Sequence, residues 1–100
     1  MGVPPDPASA ACLVRVRGLV QGVGYRYACV RQALALGLTG WVRNRLDGSV
    51  EALLQGPQVQ LERMCKWMRT GVPGARVDAI EMGVAPPAEA LHGFEQRPTA

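Results

Sequence analysis

A glycine-punctuated segment followed by an arginine is the first feature of the chain whose residue types could do chemistry. Gly18, Gly22 and Gly24 permit backbone conformations with positive φ, and successive N–H groups in such a loop can converge on an anion. Arg26 follows in the first turn of a predicted helix, whose free N–H groups and dipole also favour an anion. Its planar guanidinium can bind two phosphate oxygens at once. The segment therefore predicts a phosphate-binding site, although a tight strand-to-helix turn beside a solvated arginine has the same composition.

The spacing of these glycines differs from that of the common nucleotide-binding loops. No Gly-Lys-Ser or Gly-Lys-Thr follows, so the segment is not a Walker A loop. Tyr27 stands where a dinucleotide-binding fingerprint has its third glycine. Neither nucleotide fingerprint is therefore present.

Asn44 is the second candidate, because its amide can both donate and accept hydrogen bonds. The donor end can bind a carbonyl or phosphoryl oxygen, and the acceptor end can hold a water. Asn44 could therefore orient a nucleophilic water without titrating. Asparagine near a hairpin also commonly caps a turn, so the residue alone leaves both interpretations open. We expect His92, the single histidine, at the surface, and we expect Asp47 to serve an Asp-Gly turn and not to act as a base.

Hydrophobic patterning in the first half of the chain predicts the elements that position these residues. Alternation over residues 11–17 predicts a strand with three side chains on one face: Cys12, Val14 and Val16. Residues 25–36 predict a helix that ends before Gly37, with three residues on a shared face: Tyr27, Val30 and Leu34. Residues 39–44 and 49–55 predict two strands that an Asp-Gly turn joins into a hairpin.

The second half predicts a helix and two further strands. Pro57 suits the first turn of a helix whose apolar residues have helical spacing: Leu61, Met64, Cys65 and Met68. Residues 76–84 predict a strand with three inward residues: Ile80, Met82 and Val84. A short last strand is expected over residues 93–96, anchored by Phe94. The proline-rich residues 1–10 predict a disordered arm, and residues 11–97 predict one domain.

This order of elements predicts an α+β fold, the ferredoxin-like α/β sandwich. Its β-α-β-β-α-β pattern gives an antiparallel sheet with two helices on one face, here with a short C-terminal strand added. The third strand then lies between the first and second, which run parallel. Their C-terminal ends meet at one edge of the sheet, with strand spacings that add to about 10 Å. The topology therefore predicts that Arg26 and Asn44 surround one concavity.

Taken together, the two candidate segments resemble the paired signatures of the acylphosphatase family. The first segment is Gly18-Leu19-Val20-Gln21-Gly22-Val23-Gly24-Tyr25-Arg26. The second is Gly40-Trp41-Val42-Arg43-Asn44, which continues through Arg45-Leu46-Asp47-Gly48-Ser49-Val50-Glu51 to Gln55-Gly56. The resemblance spans roughly residues 11–97. The chain departs from the family pattern in its last strand, Phe94-Glu95-Gln96, and in its proline-rich arm.

The resemblance implies a ferredoxin-like fold and the hydrolysis of acyl phosphates, with no cofactor and no metal. It implies that Arg26 is the catalytic arginine that binds phosphate and that Asn44 orients the attacking water. The amides of the loop would cradle the substrate phosphate: Val20, Gln21, Gly22, Val23, Gly24 and Tyr25. Inorganic phosphate is then expected as product and inhibitor.

Composition and charge narrow the alternatives. The net charge of +3 comes from scattered basic residues, so we expect no nucleic-acid binding. No apolar stretch approaches the roughly 18 residues of a membrane helix, so we expect no membrane partner. Three cysteines without a Cys-x-x-Cys motif predict reduced thiols, a cytoplasmic location and no thiolate metal site; Cys29 should be buried. We expect a free-standing monomer. The rival functions are a non-catalytic ferredoxin-like module that binds anions or RNA, and a domain of a larger protein that uses carbamoyl phosphate.

Overall fold

The structure is a computed structural model that describes residues 9–85 and 92–100 and contains two helices and five strands within them. The elements follow one another as β1 (Ser9–Leu19), α1 (Tyr25–Ala35), β2 (Thr39–Asn44), β3 (Val50–Pro57), α2 (Gln58–Thr70), β4 (Arg76–Ala85) and β5 (Phe94–Gln96). The predicted ferredoxin-like order with a short C-terminal strand is confirmed. No described helix has the length and apolar character needed to cross a membrane.

The five strands form one sheet in the order β4-β1-β3-β2-β5. Both β1 and β2 are antiparallel to β3, so they run parallel to each other as predicted. The register places Asn44 opposite Val50, and Val50 opposite Val16. The loop that follows β1 begins only four residues beyond Val16, at Val20. The C-terminal ends of β1 and β2 therefore lie at the same edge of the sheet.

The core lies between the sheet and the two helices. Val14 and Val16 of β1 are fully buried, as their alternation predicts. Three residues of α2 at helical spacing are buried against the sheet: Leu61, Met64 and Met68. Gly37 ends α1 in a left-handed conformation, and the N–H of the following Leu38 donates to the carbonyl of Ala33. These contacts fix where β2 begins.

The buried face of α1 differs from the predicted one. Tyr27 and Leu34 are 60% and 53% exposed, so they do not face the core. The buried residues are spaced four apart instead: Tyr25, Cys29 and Ala33. The cause is a hydrogen bond, because the Tyr25 hydroxyl donates to the carbonyl oxygen of Met68 over 2.7 Å. That partner allows a large polar-tipped ring to be buried in the first turn, which sets the rotation of the helix.

The predicted burial of β4 is wrong for two residues. Met82 is 56% exposed and Val84 is 99% exposed. Their register partners, Val14 and Cys12, lie on the face of the sheet that carries the helices, so the predicted orientation is right. However, β4 is an edge strand, and a groove of about 530 Å³ separates its end from α2. The two side chains therefore point toward the helix layer without being covered by it.

The boundaries of β1 and β3 also differ from the predicted ones. Ser9 pairs with Pro57 and Ala10 with Gly56, so β1 begins two residues early, inside the predicted arm, and β3 ends two residues late. At its other end β1 continues to Leu19, two residues beyond its predicted limit. Pro57 is consequently the N-cap of α2 and not part of its first turn. Residues 1–8 of the predicted arm lie outside the described residues, as do residues 86–91.

Candidate active site

The loop between β1 and α1 takes its shape from glycines in the left-handed region. Gly22 and Gly24 both have φ of 77°, a conformation that other residues rarely adopt. A Cβ atom at either position would meet nothing within 4 Å, so the requirement is conformational and leaves open space over the loop. Gly18 has a different role, because a Cβ atom there would lie 2.0 Å from the carbonyl oxygen of Arg76. It allows β1 and β4 to approach at a register shift.

The N-terminus of α1 is electropositive and uncompensated. Its N-cap is Gly24, which has no side chain to cap the helix, and its first turn carries no acidic residue. The free N–H groups and the helix dipole therefore both favour an anion at this point. Val20 is buried and begins the loop from the core side. The exposed segment that follows reaches the helix at Tyr25, whose ring is anchored in the core.

Arg26 is half-buried in this first turn and is free of carboxylate partners in the part of the chain that the structure describes. Most other arginines are paired with carboxylates there: Arg15, Arg17, Arg43, Arg45, Arg76 and Arg97. The guanidinium donors of Arg26 are therefore not engaged by a carboxylate. An arginine whose charge is held unpaired beside a helix N-terminus is suited to bind phosphate.

Asn44 ends β2 on the face of the sheet that carries the helices, the same face as the buried Val42. Its Oδ1 atom is buried and has no hydrogen-bond partner among residues 9–85 and 92–100. A buried acceptor without a partner costs about 1–3 kcal/mol, so such an atom calls for a ligand or a water. The backbone of Asn44 is held in place, because its carbonyl accepts a hydrogen bond of 3.1 Å from Ala100.

The side chain of Gln21 links the loop to the hairpin that carries Asn44. Its Nε2 atom donates to the carbonyl oxygens of Arg45 and Ser49, both over 2.8 Å. Arg45 directly follows Asn44, and Ser49 directly precedes Val50, the register partner of Asn44. Sequence reasoning assigned only the backbone of Gln21 to the site and missed this contact. The only feature of the sequence that could have indicated this contact is that Gln21 places one long amide side chain among the glycines and valines of the loop.

The charged residues that flank Asn44 are directed away from this site. Glu51 lies on the open face of the sheet, where its carboxylate accepts from Arg43 at 2.7 Å and from Arg15 at 3.0 Å, with Arg45 at 3.6 Å. Burial opposes ionisation of Glu51, but these hydrogen bonds outweigh it and hold its pKa below the ordinary value. The arginines on either side of Asn44 are thereby neutralised on the opposite face.

The carboxylate of Asp47 accepts hydrogen bonds within the turn, as predicted. Hydrogen bonds from the hydroxyl and backbone N–H of Ser49, together with Arg17, lower its pKa to about 2.

His92 is exposed, and Cys29 is buried with a pKa raised to about 12 by burial. No group of three histidine, cysteine or acidic side chains within the described ranges could hold a metal ion.

Trp41 packs on the open face of the sheet and does not offer a stacking surface. It is 9% exposed, and the guanidinium groups of Arg43 and Arg97 lie 4.7 and 5.1 Å from its ring centroid. Single-stranded RNA is bound by ferredoxin-like sheets through exposed aromatic rings on this face. The two arginines therefore cover the ring of Trp41, which is not exposed in this way.

Comparisons with known proteins agree with this geometry. The family model described as Acylphosphatase matches residues 12–96. Acylphosphatase 1 of Ralstonia nicotianae is 56% identical, over 99% of this chain and 99% of that protein. The acylphosphatase of Polaromonas naphthalenivorans is 54% identical over 93% of each chain.

Solved structures give the same result. The acylphosphatase of Bacillus subtilis superposes with a TM-score of 0.83 at 36% identity and covers 87% of this chain and 97% of its own. An acylphosphatase from Coxiella burnetii gives a TM-score of 0.84 at 31% identity, over 90% of this chain and 94% of its own. A full-length HypF structure shares the fold at 19% identity, but only 13% of that longer chain is covered.

Proposed function

The chain belongs to the acylphosphatase family and hydrolyses acyl phosphates to a carboxylate and inorganic phosphate, and we propose that Arg26, Asn44 and the loop from Val20 to Tyr25 carry out this reaction. The observation that carries the proposal is that two polar groups without hydrogen-bond partners occur at the same edge of the sheet. One is the guanidinium of Arg26, and the other is the buried Oδ1 atom of Asn44.

The loop and the start of α1 hold the substrate phosphate. The N–H groups of residues 20–25 and the electropositive helix end supply neutral donors, and Arg26 supplies the charge. Because the loop is exposed and open above Gly22 and Gly24, a phosphate can reach it from solvent. This arrangement favours inorganic phosphate as a competitive inhibitor.

Asn44 orients the attacking water. Its Oδ1 atom accepts a hydrogen bond from the water, and its amide N–H can donate to a phosphoryl oxygen. The water oxygen attacks phosphorus in line, the bond between phosphorus and the acyl oxygen breaks, and the carboxylate leaves with the electron pair. A carboxylate is a good leaving group, so the reaction needs no strong general acid.

The substrate itself accepts the proton of the attacking water. His92 is exposed, and Asp47 and Glu51 are both engaged by arginines, so none of the three is placed as a base. A phosphoryl oxygen takes the proton as the new bond forms. Catalysis then rests on positioning and on fixed charges that stabilise the transition state.

The described residues and the relatives compared above favour the enzyme over the non-catalytic alternative. The arginine-covered Trp41 argues against an RNA-binding sheet. The monomeric state, the cytoplasmic location and the absence of nucleic-acid and membrane partners stay predictions from composition.

A hydrolysis assay with benzoyl phosphate and with inorganic phosphate as inhibitor tests the assignment of roles. Loss of Arg26 should abolish turnover and also the binding of inorganic phosphate, measured by titration calorimetry, because both need the same anion site. Loss of Asn44 should lower turnover and leave phosphate binding intact. An inactive Arg26→Ala protein that still binds inorganic phosphate as the wild type does would contradict the role given to Arg26.

A further inference from the structure

Two of the three cysteines meet near the N-terminal end of β1, where α2 packs over the sheet. Cys12 lies on the helix-facing side of β1, and Cys65 lies on α2. Both are partly buried, and both line the groove of about 530 Å³ between α2 and the end of β4. The two thiols lie close enough for each to influence the pKa of the other. Cys29, by contrast, is fully buried on the inner face of α1.

The groove gives small molecules access to this pair. Met82 and Val84 form its outer wall and are largely exposed, so the groove opens to solvent along the edge strand. Its lining is mainly apolar, and burial raises the pKa of Cys65 to about 11 and raises that of Cys12 as well. The thiols are therefore protonated at neutral pH and react slowly, because the thiolate is the nucleophile.

We propose that Cys12 and Cys65 form a dithiol that a low-molecular-weight disulfide converts into a covalent cross-link between β1 and α2. One thiol loses its proton and attacks a sulfur of the small disulfide, which forms a mixed disulfide and releases one small thiolate. The second protein thiolate attacks the protein sulfur of that mixed disulfide and releases the other small thiolate. The two cysteines lose two electrons, the small disulfide gains them, and the two protons end on the released thiols.

The cross-link stabilises the fold and leaves hydrolysis unchanged. It closes a loop of about 50 residues, which restricts the unfolded chain. Eight residues of extended chain separate Cys12 from Val20, a distance of about 26 Å along β1. The proposed active site therefore lies at the other end of the strand from the cross-link.

The experiment treats the reduced full-length protein with oxidised glutathione and then digests it with trypsin under non-reducing conditions. Cleavage after arginine and lysine places the three cysteines in separate peptides: residues 1–15, 27–31 and 64–66. The expected product is residues 1–15 joined to residues 64–66, with a protein mass lower by about 2 Da. The rate should rise about tenfold for each pH unit between pH 7 and pH 9, because the thiolate fraction rises in that proportion.

Two further measurements complete the test. The oxidised protein should unfold at a temperature higher by about 5 °C or more, with unchanged benzoyl phosphate hydrolysis. The Cys12→Ser and Cys65→Ser variants should each stop at a stable glutathione adduct, while Cys29→Ser should still form the cross-link. A stable adduct on the wild-type protein, a disulfide dimer or a cross-link that includes residues 27–31 would each overturn the proposal.

Discussion

Gln21 donates a hydrogen bond from its side-chain amide to the carbonyl oxygen of Arg45 over 2.8 Å, although 24 residues separate them in sequence. The same nitrogen donates to the carbonyl oxygen of Ser49 over 2.8 Å. The loop that we propose binds phosphate is therefore tied to both sides of the turn that begins directly after Asn44. This contact sets the spacing between the two halves of the site.

Replacing Gln21 with methionine should weaken catalysis more than stability. Methionine keeps the length of the side chain but removes both donors, so the loop can shift relative to Asn44. A displacement of about 1 Å in a positioned site can cost on the order of 10²-fold in rate. We expect kcat/KM for benzoyl phosphate to fall by about 10-fold or more and the inhibition constant of phosphate to rise.

The matched control for this variant is Gln60→Met. Gln60 also donates to a backbone carbonyl, that of Leu36 over 3.1 Å, but it joins the two helices and does not touch the loop. The Gln60→Met variant should change the thermal midpoint without changing the kinetics of benzoyl phosphate hydrolysis. Wild-type kinetics in Gln21→Met, with Asn44→Ala still strongly impaired, would show that the loop needs no such tether.

Replacing Arg26 with lysine should abolish most of the activity. An ammonium carries the same charge but cannot make the two-pronged contact with a phosphate. Arg31→Lys is the control, since Arg31 is exposed on the same helix and lies over the ring of Tyr27. Steady-state kinetics should show Arg31→Lys near the wild type. Substantial turnover by Arg26→Lys would mean that charge alone, without the planar fork, is sufficient.

Replacing Tyr25 with phenylalanine should destabilise the fold and spare the chemistry. The hydroxyl of Tyr25 satisfies the carbonyl of Met68, which lies near the end of α2 and has few other donors. Its loss should lower the free energy of unfolding by about 1–2 kcal/mol, measured by urea denaturation. Tyr27→Phe removes an exposed hydroxyl and should change the free energy of unfolding by less than about 0.5 kcal/mol. Equal effects in the two variants would contradict this role for the hydrogen bond.

Replacing Glu51 with glutamine should produce a pH-dependent loss of stability. The pKa of Glu51 is lowered in the folded state, so its contribution is complete above the ordinary value of 4.5 and is lost as the pH falls through the lower folded-state pKa. We expect a loss of about 1–3 kcal/mol in the free energy of unfolding at pH 7. Urea denaturation should show the variant and the wild type converging toward pH 3.

Glu95→Gln is the control for Glu51→Gln. Glu95 accepts from Arg97 over 3.0 Å, but both side chains are well exposed to solvent. Exposed ion pairs of this kind contribute little to the free energy of unfolding. If Glu95→Gln lowered the free energy of unfolding at pH 7 as much as Glu51→Gln does, the ion pairs of Glu51 would not be the source of this stability.

Element order and the edge of the sheet could be predicted from sequence because they depend on local patterns. The limits of β2, Thr39–Asn44, follow from the glycine at the end of α1 and from the Asp-Gly turn. The rotation of α1 could not be predicted, because it depends on the contact between Tyr25 and Met68, 43 residues apart. Exposure of Val84 depends on how far α2 extends over β4, which no local pattern encodes.

The candidate site divides in the same way. Arg26 and Asn44 could be chosen from residue type, order of elements and family resemblance. The side-chain contact of Gln21 could not, because its acceptors are backbone carbonyls that carry no sequence signal. The unpaired state of Asn44 Oδ1 likewise depends on which donors the fold leaves within reach.

The most direct test of the account measures benzoyl phosphate hydrolysis by the wild type and by Asn44→Ala, with phosphate inhibition and thermal midpoint recorded for both. Gln96→Ala, which removes an exposed amide from β5, is the control and should match the wild type. The account predicts that Asn44→Ala loses on the order of 10²-fold or more in kcat and keeps the phosphate inhibition constant of the wild type. Wild-type turnover by a folded Asn44→Ala protein would contradict the central claim that Asn44 orients the attacking water.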